Sequence, residues 1–244
     1  MQHLLGDFDY TIEATPEQKF NVSITDGVFR DPEKGLVAFT DGSKDGERVG
    51  SGLVVFFEGM LIFEEAVRLS GQCSVFQAEL QAILLAARFF NARPPEDSYH
   101  IFSDSQAALR ALETDEVSSQ LVLDTIKELN LLDDVSLGWV RGHRDCRGNI
   151  LADGLAKEAS LQQDVAFDLP LPRYEIIQQV LGWVRTQWDR EWAEYPLARQ
   201  TKAFFPTTNK KQSLEVMQLS RKKLGRQNQN GDWTQLLAYA LSLH

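Results

Sequence analysis

The chain has 244 residues, of which 43% are hydrophobic and 25% charged, enough for one domain with a full core plus a smaller second unit. No apolar run approaches the roughly 20 residues that cross a bilayer, and Arg88 interrupts the longest, residues 82–90. A membrane-spanning helix is therefore not expected. The net charge of −10 is unevenly spread: residues 1–34 hold 7 acids and 3 bases, residues 35–160 hold 20 and 11, and residues 161–244 hold 8 and 11.

Residues 1–10 contain two aspartates and no Lys or Arg, so a secretory leader is not expected. Two cysteines, Cys73 and Cys146, are too few for a disulfide scaffold and point to a reducing, intracellular compartment, nucleus or cytoplasm. Residues 1–34 are acidic and weakly periodic, with Pro16 and Pro32, and read as an extension without chemistry of its own. From Gly35 the pattern sharpens. Apolar runs at 35–40, 49–57 and 60–69, separated by Lys44-Asp45-Gly46 and Glu58-Gly59, predict three antiparallel strands, because Asp-Gly tolerates the positive φ of a tight hairpin.

Ser74 followed by Gln77 forms a capping box. Val75, Phe76, Leu80, Ile83, Leu84 and Ala87 then repeat at three and four, predicting a helix to about Ala92 before Pro94-Pro95. A fourth strand is expected at 99–103, short and longer helices at 105–112 and 117–129, a fifth strand at 135–140, and a helix at 148–160. Strands followed by alternating helices and strands predict an α/β fold with a mixed sheet and helices packed on it. Residues 161–172 read as a linker. The remainder, 173–244, reads as a helical, basic region with Trp183, Trp188 and Trp192 on one helix, and 199–226 hold eight bases against one acid.

Four acids recur at ends of these elements: Asp41 after the first strand, Glu79 one turn into the long helix, Asp104 after the fourth strand, and Asp153 on the last helix of this region. Brought together, four like charges would raise one another's pKa values, and divalent cations would remove that cost. A donor set of oxygens selects hard ions, Mg²⁺ or Mn²⁺, over zinc or copper. Cys146, three residues after His143, lacks the four ligands of a structural zinc site. Taken singly, each acid is more often an ordinary solvated charge, and Ser43, Ser105 and Gln106 serve equally well as turn or cap residues. The three tryptophans are more often a packed helix face than a base-stacking platform.

Thr40-Asp41-Gly42-Ser43, Ala78-Glu79-Leu80, Ser103-Asp104-Ser105-Gln106 and Gly142-His143 through Gly148-Asn149 to Ala152-Asp153 stand in the order of the type 1 ribonuclease H motifs. In residues 35–160 the chain resembles that family, most of all the ribonuclease H domain of non-LTR (LINE-like) retrotransposon reverse transcriptase polyproteins, to which Val75-Phe76-Gln77-Ala78-Glu79-Leu80 is similar. The resemblance implies a ribonuclease H-like five-stranded mixed sheet, three strands antiparallel and the rest parallel, flanked by helices and followed by a helical extension. It implies metal-dependent cleavage of the RNA strand of an RNA/DNA hybrid with two Mg²⁺ ions, for which Mn²⁺ can substitute. By the same resemblance Asp41 bridges both ions, Asp153 helps hold the one that activates water, and Glu79 and Asp104 hold the one facing the leaving oxygen. His143 moves a proton or eases product release, and Gly42, Ser43, Ser105, Gln106 and Asn149 touch the substrate. An upstream reverse transcriptase domain is an implied partner. The family's basic handle helix is not apparent between Leu112 and Val135. Two rival readings stay open: an idle ribonuclease H-like scaffold, and a strand-transfer enzyme of related fold.

Overall fold

The computed structural model describes residues 8–9, 11, 13–14, 16–25, 29, 32, 34–94, 96, 98–142, 146–167, 169–195 and 202. The chain divides into two compact units, residues 1–176 and 177–244. Three short strands come first: β1 (Phe8–Asp9), β2 (Glu13–Ala14) and β3 (Asn21–Ser23). The hairpin strands β4 (Leu36–Asp45), β5 (Arg48–Phe57) and β6 (Met60–Leu69) follow, then helix α1 (Val75–Asn91), β7 (Tyr99–Ser103) and α2 (Gln106–Ala111). Strand β8 (Glu116–Val117), α3 (Gln120–Leu129), β9 (Val135–Trp139), α4 (Arg147–Leu161), β10 (Leu171–Pro172) and α5 (Arg173–Glu194) complete the described elements. The unit boundary falls within α5.

The main sheet runs β3-β9-β7-β4-β5-β6. β4, β5 and β6 are antiparallel neighbours, while β4, β7, β9 and β3 are joined by parallel ladders. The mixed α/β sheet with three antiparallel strands is thus as expected, with six strands where five are expected. The sixth, β3, comes from the segment read as an extension: its backbone pairs Asn21 to Ser136 and Ser23 to Gly138, and Phe20 beside it is core. Two smaller ladders tie the same segment down, β1 to β10 and β2 to β8. β10 lies in residues expected to be a linker, and the expected start of α3 at Val117 is instead strand, with Ser119 capping the shorter helix.

The hairpin strands run farther than their apolar residues. β4 continues five residues beyond Thr40 because its ladder to β5 holds as far as Asp45 opposite Arg48, and the turn moves to Gly46-Glu47, where Gly46 takes φ +61°. Alternation along β4 divides the core. Leu36 and Ala38 face the larger cluster with Leu53, Leu80, Ile83 and Phe90, whereas Val37 and Phe39 join Val54, Phe56 and Ala152 on the other face. Cys73 and Cys146 are buried in these two different clusters. α1 begins at the expected capping box: Ser74 Oγ accepts from the Gln77 amide at 3.1 Å, and Gln77 Oε1 accepts from the Ser74 amide at 3.1 Å.

In the second unit, Trp183 and Trp188 are exposed and Trp192 is half-buried. Most of the helical, basic region expected over 173–244, including nearly all of the stretch 199–226, lies outside the described residues. Among the described residues no helix is long and apolar enough to cross a membrane.

Candidate active site

The site is built where two parallel strands stop. The β4/β7 ladder ends with Thr40 opposite Ser103, so the next residue of each chain, Asp41 and Asp104, emerges at the same edge of the sheet. β7 ends there while β4 continues on its other partner, which leaves Asp41 in mid-strand and 5% exposed. Asp104 is aimed by its backbone: its carbonyl accepts from Trp139 Nε1 at 2.9 Å, and the following Ser105 amide donates to Ser103 Oγ at 3.1 Å.

Glu79 arrives from the other direction, one turn into α1. The approach is close because position 42 is glycine: a Cβ there would stand 2.4 Å from the Glu79 backbone nitrogen. Ser51, opposite Gly42 on β5, donates from Oγ to the Ala78 carbonyl at 2.6 Å and pins the same turn. Lys44 Nζ donates to the Cys73 carbonyl at 2.6 Å just before it. One carboxylate oxygen from each of Asp41, Glu79 and Asp104 lies within 4.8 Å of the other two.

Asp153 reaches the cluster from the opposite face of the sheet, on α4. The alternation that puts Val37 and Phe39 against this layer puts Asp41 there too. Asp41 pairs across the ladder with Gly52, and a Cβ on Gly52 would meet the Ala152 carbonyl oxygen at 2.1 Å, so α4 lies directly on the strand backbone. Asp153 is one residue on from that contact. Its carboxylate accepts from Lys157 Nζ at 2.7 Å, and its charge is felt at both Asp41 and Glu79.

Burial and crowding distort the protonation of the two innermost acids. Asp41 is pushed up to about 8, by burial first and then by the charges of Asp104 and Asp153, against the Gly42 backbone amide and Lys157. Glu79 is pushed up to about 9, again by burial first and then by Asp41 and Asp104, with the Gly42 amide opposing. Asp41 Oδ2 and Glu79 Oε2 are buried and make no hydrogen bond among the described residues. Buried polar atoms are normally satisfied. An all-oxygen cluster with two unsatisfied carboxylate oxygens fits a hard divalent cation, which would supply the missing partner and lift the mutual repulsion.

The remaining predicted residues divide. Gly42 lies inside the cluster and half-buried Ser43 follows it on β4. Ser105 caps α2, accepting from the Ala108 amide at 3.3 Å, and Gln106 opens that helix and accepts from Arg110 at 3.4 Å. Asn149 differs from expectation: it is 1% exposed, enclosed where the first turn of α4 packs on Phe39, and neither amide atom has a partner among the described residues. His143 lies outside the described residues, although Gly142 abuts the Asp104 carboxylate, where a Cβ would stand 2.5 Å from Oδ2. Lys157, Ser51 and Trp139 are absent from the sequence expectation. Only Lys157 carries a signal there, its spacing of four from Asp153. A hollow of about 420 Å³ between Phe29, Phe39, Phe56 and Arg147 shares no lining residue with the acids.

Residues 33–161 match the family model described as RNase H, more than half of the chain. The chain belongs to the RNase H family. Among curated relatives, a protein named Ribonuclease H from Syntrophus aciditrophicus (strain SB) is 26% identical over 159 residues, covering 59% of this chain and 90% of that protein. Among solved structures, the RNase H1 of the halophilic archaeon Halobacterium salinarum NRC-1 aligns with a TM-score of 0.44 and 23% identity, over 51% of this chain and 96% of that one. The RNase H match takes in all four acids and excludes β1, β2 and β3.

Proposed function

We propose that this RNase H family member cleaves the RNA strand of RNA/DNA hybrids with two divalent ions, Mg²⁺ or Mn²⁺, held by Asp41, Glu79, Asp104 and Asp153, as part of a retroelement reverse transcriptase. The observation that carries the reading is the convergence of three acids from β4, α1 and β7 with buried oxygens left unsatisfied. When bound, paired divalent ions activate water, neutralise the phosphate oxygens and stabilise the departing 3′ oxygen.

The chain's own groups do the rest. Asp41 would hold both ions, Glu79 and Asp104 the one at the leaving oxygen, and Asp153 the one that activates water. With pKa values near 8 and 9, Asp41 and Glu79 hold protons at neutral pH until a cation replaces them. His143 is assigned the proton shuttle. Gly42, Ser43, Ser105 and Gln106, next in sequence to Asp41 and Asp104, are assigned contacts to the hybrid, where the 2′-hydroxyl distinguishes RNA from DNA across a wide minor groove. The retroelement setting rests on the wording of Val75-Phe76-Gln77-Ala78-Glu79-Leu80, and it predicts a coding sequence that continues upstream into a polymerase.

The activity is tested with labelled hybrid, duplex DNA and duplex RNA in Mg²⁺ and in EDTA, beside Asp104→Asn. Cutting of the hybrid alone, lost with EDTA and in the variant, is the expected result. Cleavage in EDTA, or no cleavage with metal, defeats the reading and leaves the scaffold alternative.

A further inference from the structure

We propose that Lys157 is a built-in placeholder for the divalent cation at Asp153, neutralising that carboxylate in the metal-free protein and leaving it when an ion binds. The inference rests on the metal reading above. Lys157 stands one helical turn after Asp153, with Nζ 2.7 Å from Oδ2. The two side chains differ in setting: that of Asp153 is 18% exposed and that of Lys157 is 60% exposed, so the acid faces the cluster while the lysine leans in from solvent. The lysine's charge also reaches Asp41, which places it on the flank of the cluster formed by α4.

An ammonium at 2.7 Å takes one lone pair of Oδ2 and offsets the charge of the carboxylate, so a divalent ion approaching Asp153 meets a like charge beside its ligand. Exposed helical pairs of this kind hold weakly. The long, flexible stem of lysine lets the charge swing out without disturbing α4, whereas an arginine fork would grip both carboxylate oxygens. The arrangement keeps Asp153 compensated in the absence of metal, at the cost of weaker metal binding there.

The test is isothermal titration of the full chain with Mn²⁺, without nucleic acid, for wild type, Lys157→Met, Lys157→Arg, Asp153→Asn and the Asp153→Asn/Lys157→Met double variant. Lys157→Met keeps the aliphatic stem and is expected to bind the ion at Asp153 about threefold to tenfold more tightly. Lys157→Arg is expected to bind no more tightly than wild type, and the gain from Lys157→Met should vanish when Asp153 is already asparagine. Equal or weaker binding by Lys157→Met overturns the placeholder role while leaving the metal site standing. So does a gain that survives in the double variant, because it would reflect net charge alone. A wild type that takes up no Mn²⁺ overturns both readings at once.

Discussion

Asp41, Glu79 and Asp104 are set by backbone: two adjacent strand ends and a helix turn wedged onto a glycine, with Trp139 bonded to the Asp104 carbonyl and Ser51 to that of Ala78. Asp153 is set by a helix lying across a strand, and its carboxylate has a lysine for company at the solvent edge. The first arrangement fixes acidic groups in a buried place, at a cost to their ionised forms. The second leaves room for adjustment. The difference shows how one site can be both preorganised and responsive, with strain concentrated in the acids that cannot move.

The largest expected effect separates the two sides directly. Asp41→Asn should bring hybrid cleavage in Mg²⁺ to background and, at pH 8 to 9 in EDTA, raise Tm, because it removes a buried carboxyl that ionises in that range against its surroundings. Asp153→Asn should also impair cleavage but leave the metal-free Tm nearly unchanged. Calorimetry beside the cleavage assay checks both, and equal Tm responses would erase the distinction.

Next in size is Gly52→Ala. Its Cβ meets backbone rather than a flexible side chain, so α4 must lift from β5, at a cost of about 1 to 3 kcal/mol in stability. Denaturant unfolding gives the cost. Activity should fall further than stability explains, because Asp153 moves with the helix.

A further effect is one of pH. Asp41 and Glu79 have folded-state pKa values raised to about 8 and 9, so between about pH 4 and pH 9 the folded, metal-free protein binds more protons than the unfolded chain. Stability from this source is complete at the acid end of that window and is lost as pH rises through 8 and 9. In EDTA, Tm should therefore fall from pH 5 to pH 9, and saturating Mg²⁺ should flatten the slope by taking the protons' place. A slope unchanged by Mg²⁺ would deny that these two acids meet the ion.

Much of this plan was legible in the residues. The hairpin strands, the capped helix α1 and the order of the four acids follow from alternation, a capping box and turn chemistry, each of which is local. The neighbouring of Asp41 and Asp104 followed only conditionally, since it needs β4 and β7 to be adjacent. The two- and three-residue strands β1, β2, β3, β8 and β10 are too short to show a period and form only because a distant partner offers its edge. Ser51 stayed hidden for a related reason: a hydroxyl bonded to a backbone carbonyl on another element leaves no pattern. Enclosure of Asn149 depends on how the first turn of α4 meets Phe39, a matter of packing rather than of residue type.

β3 also has a consequence for how the molecule meets its neighbours. It occupies the outer rim of β9, whose peptide groups would otherwise stand bare, and bare rims invite pairing between copies. The stretch ahead of the RNase H match thus shields the sheet: a protein begun at residue 33 would keep every proposed metal ligand and yet be expected to self-associate through the exposed flank of β9.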